Sequence, residues 1–236
     1  SLGGTTLTIR TFHAQLWTSH DLVRVGLIPE DLVSLVRTAL TNRDNILISG
    51  GTGTGKTTLL NALATLLPAS DRIVLIEDTA ELTITHPNLV RFEARREQPE
   101  AKAVTIRDLL RATLRHRPDR IIVGEVRGGE AFDLLQTLNT GHAGSLSTIH
   151  ANSAAQALAR FATCVLQSGV ELPYTAVRRL ISESVDLVLH LERRRGIRSV
   201  EEFVRVTGFD PDRDAYQLRA MLQGTRVVPS AVLPSL

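Results

Sequence analysis

Short apolar runs alternate with amphipathic stretches along most of this chain. Residues 5–12 (Thr-Leu-Thr-Ile-Arg-Thr-Phe-His) alternate and are rich in β-branched side chains, which predicts a strand with no neighbour in sequence, the tail end of a domain lying mostly before residue 1. Residues 18–25 form a short amphipathic turn closed by Gly26. Pro29 then starts a helix whose apolar positions Leu32, Leu35, Val36, Ala39 and Leu40 follow the 0, 3, 4, 7, 8 spacing. Next come a buried strand at Ile46–Ser49, a helix with Leu59, Leu60, Leu63, Leu66 and Leu67, and a strand at Ile73–Ile76. Residues 82–93 read as irregular or β. Thr105 caps a helix carrying Ile106, Leu109, Leu110 and Leu114. A strand at Ile121–Val123 precedes a helix with Ala131, Leu134, Leu135 and Leu138. The strand Ser145–Ile149 leads into a helix with Leu158, Phe161, Ala162, Val165 and Leu166, and Pro173 opens another with Val177, Leu180 and Ile181. The last third changes character, with strands at Val185–Leu191, Val200–Val206 and Ala215–Met221, and a clear turn from Gly208 to Asp214.

Strands this short and apolar, alternating with helices, imply an α/β fold with a mostly parallel sheet covered on both faces. The closing strands would add a small antiparallel appendage. Composition agrees: of 236 residues, 43% are hydrophobic and 22% charged, which excludes wholesale disorder. No apolar run approaches the roughly 18 residues of a spanning helix, and no secretory signal is visible at the first residues. The single Cys164 excludes an internal disulfide or a cysteine-based zinc cluster and suits a reducing cytoplasm. Net charge is +2, and 25 of the 27 basic residues are arginine. The runs Arg193-Arg194-Arg195 and Arg178-Arg179 are candidates to touch phosphate or anionic lipid. Aromatics, at 4%, are too scarce to suggest stacking platforms for single-stranded nucleic acid.

Four segments carry chemistry. Gly50-Gly51-Thr52-Gly53-Thr54-Gly55-Lys56-Thr57-Thr58 fits G-x-x-x-x-G-K-[ST], follows a strand and opens a helix, the context a phosphate loop requires. Glycines let backbone N–H groups wrap phosphates, and the helix N-terminus adds partial positive charge. Lys56 would supply a point charge to the outer phosphates and Thr57 a hydroxyl to Mg²⁺. Second, Glu77-Asp78-Thr79-Ala80-Glu81 ends a strand, where carboxylates sit beside a ligand crevice. Third, Asp119-Arg120-Ile121-Ile122-Val123-Gly124-Glu125 delivers an acid to the end of an apolar strand in the Walker B manner, with Gly124-Glu125 in place of the usual terminal Asp. Fourth, His142 and His150 flank the strand Ser145–Ile149. They lie at its opposite ends, which argues against a shared metal, and His86, His116 and His190 have no partner at ligand spacing. His150 is placed to hydrogen-bond a terminal phosphate.

Together these segments resemble the hexameric traffic ATPases of bacterial type II and type IV secretion, conjugation and type IV pilus assembly. The Walker A loop Gly50–Thr58, an "Asp box" at Arg72–Glu81, a variant Walker B segment at Arg117–Glu130 and a "His box" at Gly141–His150 occur in that family's order. Arg117 through Glu130, Asn139-Thr140-Gly141-His142 and Thr148-Ile149-His150-Ala151-Asn152 point to the conjugal-transfer and tight-adherence pilus branch. The resemblance spans about residues 5–207 and accounts for Glu125 at its position.

The resemblance implies a RecA-like core at residues 28–192, a remnant strand of an N-terminal domain plus linker at 1–27, and the β appendage at 193–236. It implies binding of ATP with Mg²⁺ and hydrolysis by a homo-hexameric ring. The ring would be cytoplasmic, docked peripherally on secretion or pilus machinery at the inner membrane. In that family basic residues of the N-terminal domain complete the nucleotide site, and Arg10 is the candidate for this part. Charge logic makes Glu125 the first choice for polarising the attacking water and Glu77 for Mg²⁺ or its water shell, with the two roles exchangeable. His150 would sense the γ-phosphate, and His142 is structural. The other readings are a nucleotide-gated assembly factor with little turnover and a RecA-like nucleic-acid motor. No direct nucleic-acid binding is indicated.

Overall fold

The computed structural model describes residues 17–99, 101–223 and 226–227, together with Gly4, Thr5 and Leu7. Of the strand expected at 5–12 Thr5 and Leu7 alone are described, and Arg10 lies outside the described residues. Helix α1 (Ser19–Arg24) begins at Thr18, whose side chain and that of Asp21 cap each other's backbone N–H groups. Helix α2 (Glu30–Thr41) follows Pro29 and buries Leu32, Val36, Ala39 and Leu40. The remaining helices are α3 (Lys56–Ala64), α4 (Ile106–Thr113), α5 (Glu130–Asn139), α6 (Ala154–Leu166) and α7 (Tyr174–Ser184). Thr105 caps α4 in a reciprocal box with Asp108. The apolar stripe of α6 runs Leu158, Phe161, Ala162, Val165 and takes in Cys164. Leu166, expected on that stripe, is the last helical residue and is exposed.

The strands are β1 (Ile46–Gly50), β2 (Ile73–Glu77), β3 (Leu89–Glu93), β4 (Arg120–Val126), β5 (Leu146–Ile149), β6 (Leu187–Arg194), β7 (Ile197–Asp210), β8 (Ala215–Gln223) and β9 (Arg226–Val227). Among the described residues they form one sheet in the order β3-β2-β4-β5-β1-β6-β7-β8-β9. β3 through β6 in that order pair in parallel, and β6 to β9 are antiparallel. The ambiguous stretch at 82–93 resolves into β3, a half-exposed edge strand. The antiparallel strands extend the parallel sheet without a break, and the division at residues 192/193 falls inside β6.

Alternation within each strand divides the core into two layers. Ile46, Ile48, Ile73, Leu75, Leu187 and Leu189 pack under α1, α2 and α3. Leu47, Val74, Ile76, Ile121, Val123 and Val188 face the opposite layer of α4, α5, α6 and α7. β1, β2, β4 and β6 are therefore apolar on both sides where they cross the core, as their unbroken runs in the sequence require. A consequence for function is that β1, β2, β4, β5 and β6 all end on the same edge of the sheet, where ligands bind in open α/β sheets.

Candidate functional site

The glycine-rich loop leaves β1 at Gly50. A Cβ on Gly50 would lie 2.6 Å from Thr54 Oγ1 and 2.7 Å from the Leu191 carbonyl oxygen, so only glycine fits there. Gly55 enters α3 in the left-handed region, at φ 101°, and no side chain caps this helix end. The first-turn amides are thus left for an anion. Lys56 is buried and folds back over the loop, its Nζ donating to the carbonyls of Gly50 (2.9 Å) and Gly51 (3.0 Å). Burial pushes its pKa down, and the nearby Glu125 charge opposes that shift. Thr54 Oγ1 donates to the Gly51 carbonyl at 2.9 Å, Thr57 and Thr58 are half-buried in the first turn, and Thr52 and Gly53 are exposed at the tip.

Three strand ends face this loop's flank. β5 lies between β1 and β4, which brings His150 and Glu125 to one side of Lys56. β4 carries one more residue than β5 between the pairs Val123–Ser147 and Val126–Ile149. This bulge at Gly124-Glu125 re-aims the side chains at the end of the strand. Glu125 Oε2 accepts from Arg127 Nε at 2.8 Å and lies 2.6 Å from its Nη2. His150 Nε2 lies 2.8 Å from Glu125 Oε1 but out of line for a hydrogen bond, so that oxygen is buried without a donor. Burial, then the Lys56 charge, hold the His150 pKa below 6.5 against the pull of Glu125, leaving a neutral imidazole at pH 7.

Glu77 sits one strand further out and is tied into the backbone. Its Oε1 accepts the backbone N–H groups of Glu81 and Leu82, both at 2.9 Å, and so fixes the segment that follows β2. Burial raises its pKa, and those two hydrogen bonds oppose the rise. Its Cγ lies 3.1 Å from where a Cβ of Gly124 would stand, so a glycine before Glu125 lets the two acids' strands close up. His142 is at the far end of β5, with a buried and unpartnered Nδ1.

Three more groups stand here that no motif singles out. Arg127 ties Glu125 to Asp78, whose Oδ2 is 3.6 Å from its Nη1; the strand period, two residues past Glu125, was the available signal. His190 is buried beside Ser49, with Nδ1 2.9 Å from the Ser49 hydroxyl. Arg198 reaches the loop from β7 and donates from Nε to the Gly53 carbonyl at 2.8 Å. Of the arginine runs, Arg178 is no surface contact: it is buried, ion-paired with Asp214, and stacked on Phe209 and Tyr216 at 4.5 and 4.7 Å. Burial raises the pKa of the Tyr216 hydroxyl, and the neighbouring Arg178 opposes the rise.

The family described as "Type II/IV secretion system protein" matches residues 1–220. A conjugal transfer protein TrbB of Rhizobium radiobacter is 40% identical over 211 residues, covering 88% of this chain and 62% of its own length. A type IV secretion system protein VirB11 of Bartonella henselae is 38% identical over 185 residues, covering 78% of this chain and 52% of its own. Among solved structures, the VirB11 ATPase of Brucella suis in complex with sulphate superposes with a TM-score of 0.68 at 32% identity, covering 83% of this chain and 65% of that one. The chain thus spans about half to two thirds of the length of these relatives. The pilus retraction motor PilT shares the fold, with a TM-score of 0.55.

Proposed function

The chain belongs to the type II/IV secretion system protein family, and from that premise we propose that it binds ATP with Mg²⁺ at Gly50–Thr58 and hydrolyses it. It would do so as the core of a ring-forming motor that powers conjugal transfer, type IV secretion or pilus assembly. One observation carries this reading: Lys56, Glu125 and His150 meet at the mouth of an uncapped glycine-rich helix entrance. Lys56 spends its donors on two loop carbonyls, and a phosphate chain in the loop offers them better acceptors.

The donor set fits a magnesium ion that arrives with its nucleotide. Mg²⁺ prefers oxygen, retains waters and takes only one or two protein ligands beside substrate phosphates. Among the described residues no three His, Cys, Asp or Glu cluster to hold a metal alone, while Thr57 offers a hydroxyl and Glu125 Oε1 is a buried oxygen with no donor. When bound, the ion would neutralise charge developing on the phosphates. Thr57 would ligate it and Glu77 would serve its water shell. Glu125 would accept the proton of the attacking water. Neutral His150 would hydrogen-bond the γ-phosphate, and its loss on hydrolysis would free β5 and its loop to move. Groups beyond the described residues, Arg10 among them, would close the site in a homo-hexamer docked on inner-membrane machinery. No helix among the described residues is long and apolar enough to cross a membrane.

A second reading, nucleotide-gated assembly with little turnover, draws on the grip of Arg127 on Glu125, which withholds the acid from a water. ATP titration beside steady-state phosphate release, with and without DNA, separates the possibilities. Binding with turnover is expected. Binding without turnover selects the gated factor, stimulation by DNA selects a nucleic-acid motor, and absence of binding overturns all three.

A further inference from the structure

β6 runs parallel to β1 with Leu191 level with Gly50, so Glu192, Arg193 and Arg194 continue past the end of β1 beside the glycine-rich loop. The chain then reverses through Arg195 and Gly196, both at positive φ (51° and 87°), the geometry of a two-residue hairpin turn. The register places Arg198 directly opposite Arg193. Both side chains lean on the loop. Arg198 Nε donates to the Gly53 carbonyl, its Cδ lies 3.7 Å from where a Gly55 Cβ would be, and Arg193 Nη1 lies 3.9 Å from the same point on Gly53.

Two like charges paired across strands destabilise a hairpin unless something neutralises them. Their neighbour Arg194 has its carboxylate, Glu192, at 2.6 Å. Among the described residues neither Arg193 nor Arg198 is ion-paired with an acid, although Glu192 and Glu201 are close in sequence; Glu201 accepts from the Ser199 hydroxyl instead. The sheet order gives this pair a direction. Glu125 and Asp78 stand on the β4 side of the loop, and the two arginines stand on the β6–β7 side. The crevice therefore has an acidic flank suited to a metal and a water, and a basic flank suited to an anion.

We propose that Arg193 and Arg198 form a second anion-holding arm of the nucleotide site, gripping the phosphate chain of a bound nucleoside di- or triphosphate from the flank opposite Glu125. This rests on the nucleotide reading given above. Arg198 also braces the loop tip through Gly53, so the arm and the loop amides close on the ligand as one unit. Because the arm is remote from the acids that act on the terminal phosphate, it serves ADP as well as ATP.

Calorimetric titration of the chain with ADP and Mg²⁺, at low and high salt, tests the arm. Arg193→Gln and Arg198→Gln are each expected to weaken ADP binding by about 10- to 10²-fold, the range for a hydrogen bond to a charged group. Arg198→Lys should restore part of the loss, since it keeps the charge without the planar fork. The deficit should shrink at high salt, where exposed charges are screened. Normal ADP affinity in Arg193→Gln, which removes no hydrogen bond to the loop, would reduce Arg198 to a brace and overturn the arm. Wild-type affinity in the double variant, with binding lost in Lys56→Ala, overturns the arm and leaves the nucleotide reading standing. Undiminished binding in Lys56→Ala as well removes the nucleotide from the loop, and both ideas fall. Unchanged ADP binding in the double variant with lost binding to single-stranded DNA or to anionic vesicles would assign the pair to another polyanion, and the proposal would be wrong.

Discussion

At the amino edge of the sheet the Arg120 guanidinium, 2% exposed, donates to Asp71, to the Leu40 carbonyl at 2.8 Å and to the Gly144 carbonyl at 3.2 Å. Beside it Asn45 Oδ1 accepts from Gly144 N and Ser145 N, its Nδ2 donates to the Ser184 carbonyl, and its backbone N–H meets Asp186. There His142 Nδ1 is buried without a partner, whereas at the carboxyl edge Glu125 Oε1 and His190 Nε2 are both so, and the entrance of α3 has no side-chain cap. A satisfied polar network rigidifies, and an unsatisfied one marks where something else completes the set. One edge fastens the helix and strand starts together. The other holds groups in readiness.

Breaking each edge in turn sharpens that contrast. Lys56→Ala, at the open edge, should abolish detectable ATP turnover by removing the charge opposite the phosphates, while shifting the urea midpoint far less than an amino-edge substitution does. Near-normal phosphate release from this variant would end the functional reading. Arg120→Met, at the fastened edge, strands Asp71 and two carbonyls, and should cost about 3–5 kcal/mol in urea unfolding, the range for breaking a buried ion pair. Glu125→Gln keeps the size of the side chain and should lower turnover roughly 10²-fold with ATP binding retained. Glu77→Gln should do less, because an amide oxygen still accepts from Glu81 and Leu82. If the two variants exchange phenotypes, so do the roles assigned to the two acids.

The smallest effect is a pH slope. Burial holds the His190 pKa below 6.5, with the Lys56 charge acting the same way and Glu202, Glu192 and Glu201 opposing. The unfolded chain then binds the proton more readily than the folded one. Stability is full above pH 6.5 and falls as pH drops from there toward the folded pKa. Replacing His190 with Gln should flatten this part of a urea midpoint against pH curve; an unchanged slope would place the titration elsewhere.

Much of this was legible in the chain itself, for local reasons. Ile73–Ile76 and Ile121–Val123 are continuous apolar runs because both faces of their strands are covered, and Thr105 with Asp108 writes out its capping box in four letters. Lys56 follows from its motif. The order of strands is not local information: nothing near residue 46 says that residues 146 and 187 flank it. The bulge that re-aims Glu125 is equally hidden, since it exists only in the pairing of β4 with β5. Glu77 was read as an acid beside the ligand crevice because its strand ends there, but hydrogen bonds to backbone four and five residues on give it a structural duty no strand pattern displays. Arg193 stands out as the first of the run Arg193-Arg194-Arg195, but Arg198 looks like dispersed basic background until the two-residue turn between their strands pairs the two.

The position of β1 between β5 and β6 also sets a schedule. Its pairing partners are made about a hundred and about a hundred and forty residues later, and Asn45 is joined to Ser145 and to Ser184 across gaps of 100 and 139. Contacts of such separation form late, after loop closure has been overcome. During synthesis the glycine-rich loop leaves the ribosome well before either neighbour of its strand, which keeps one open edge until residues near 191 have emerged. Capacity to grip a phosphate chain therefore lags the making of the loop itself by about 140 residues. Until then the apolar edge of β1 is exposed to any other strand within reach.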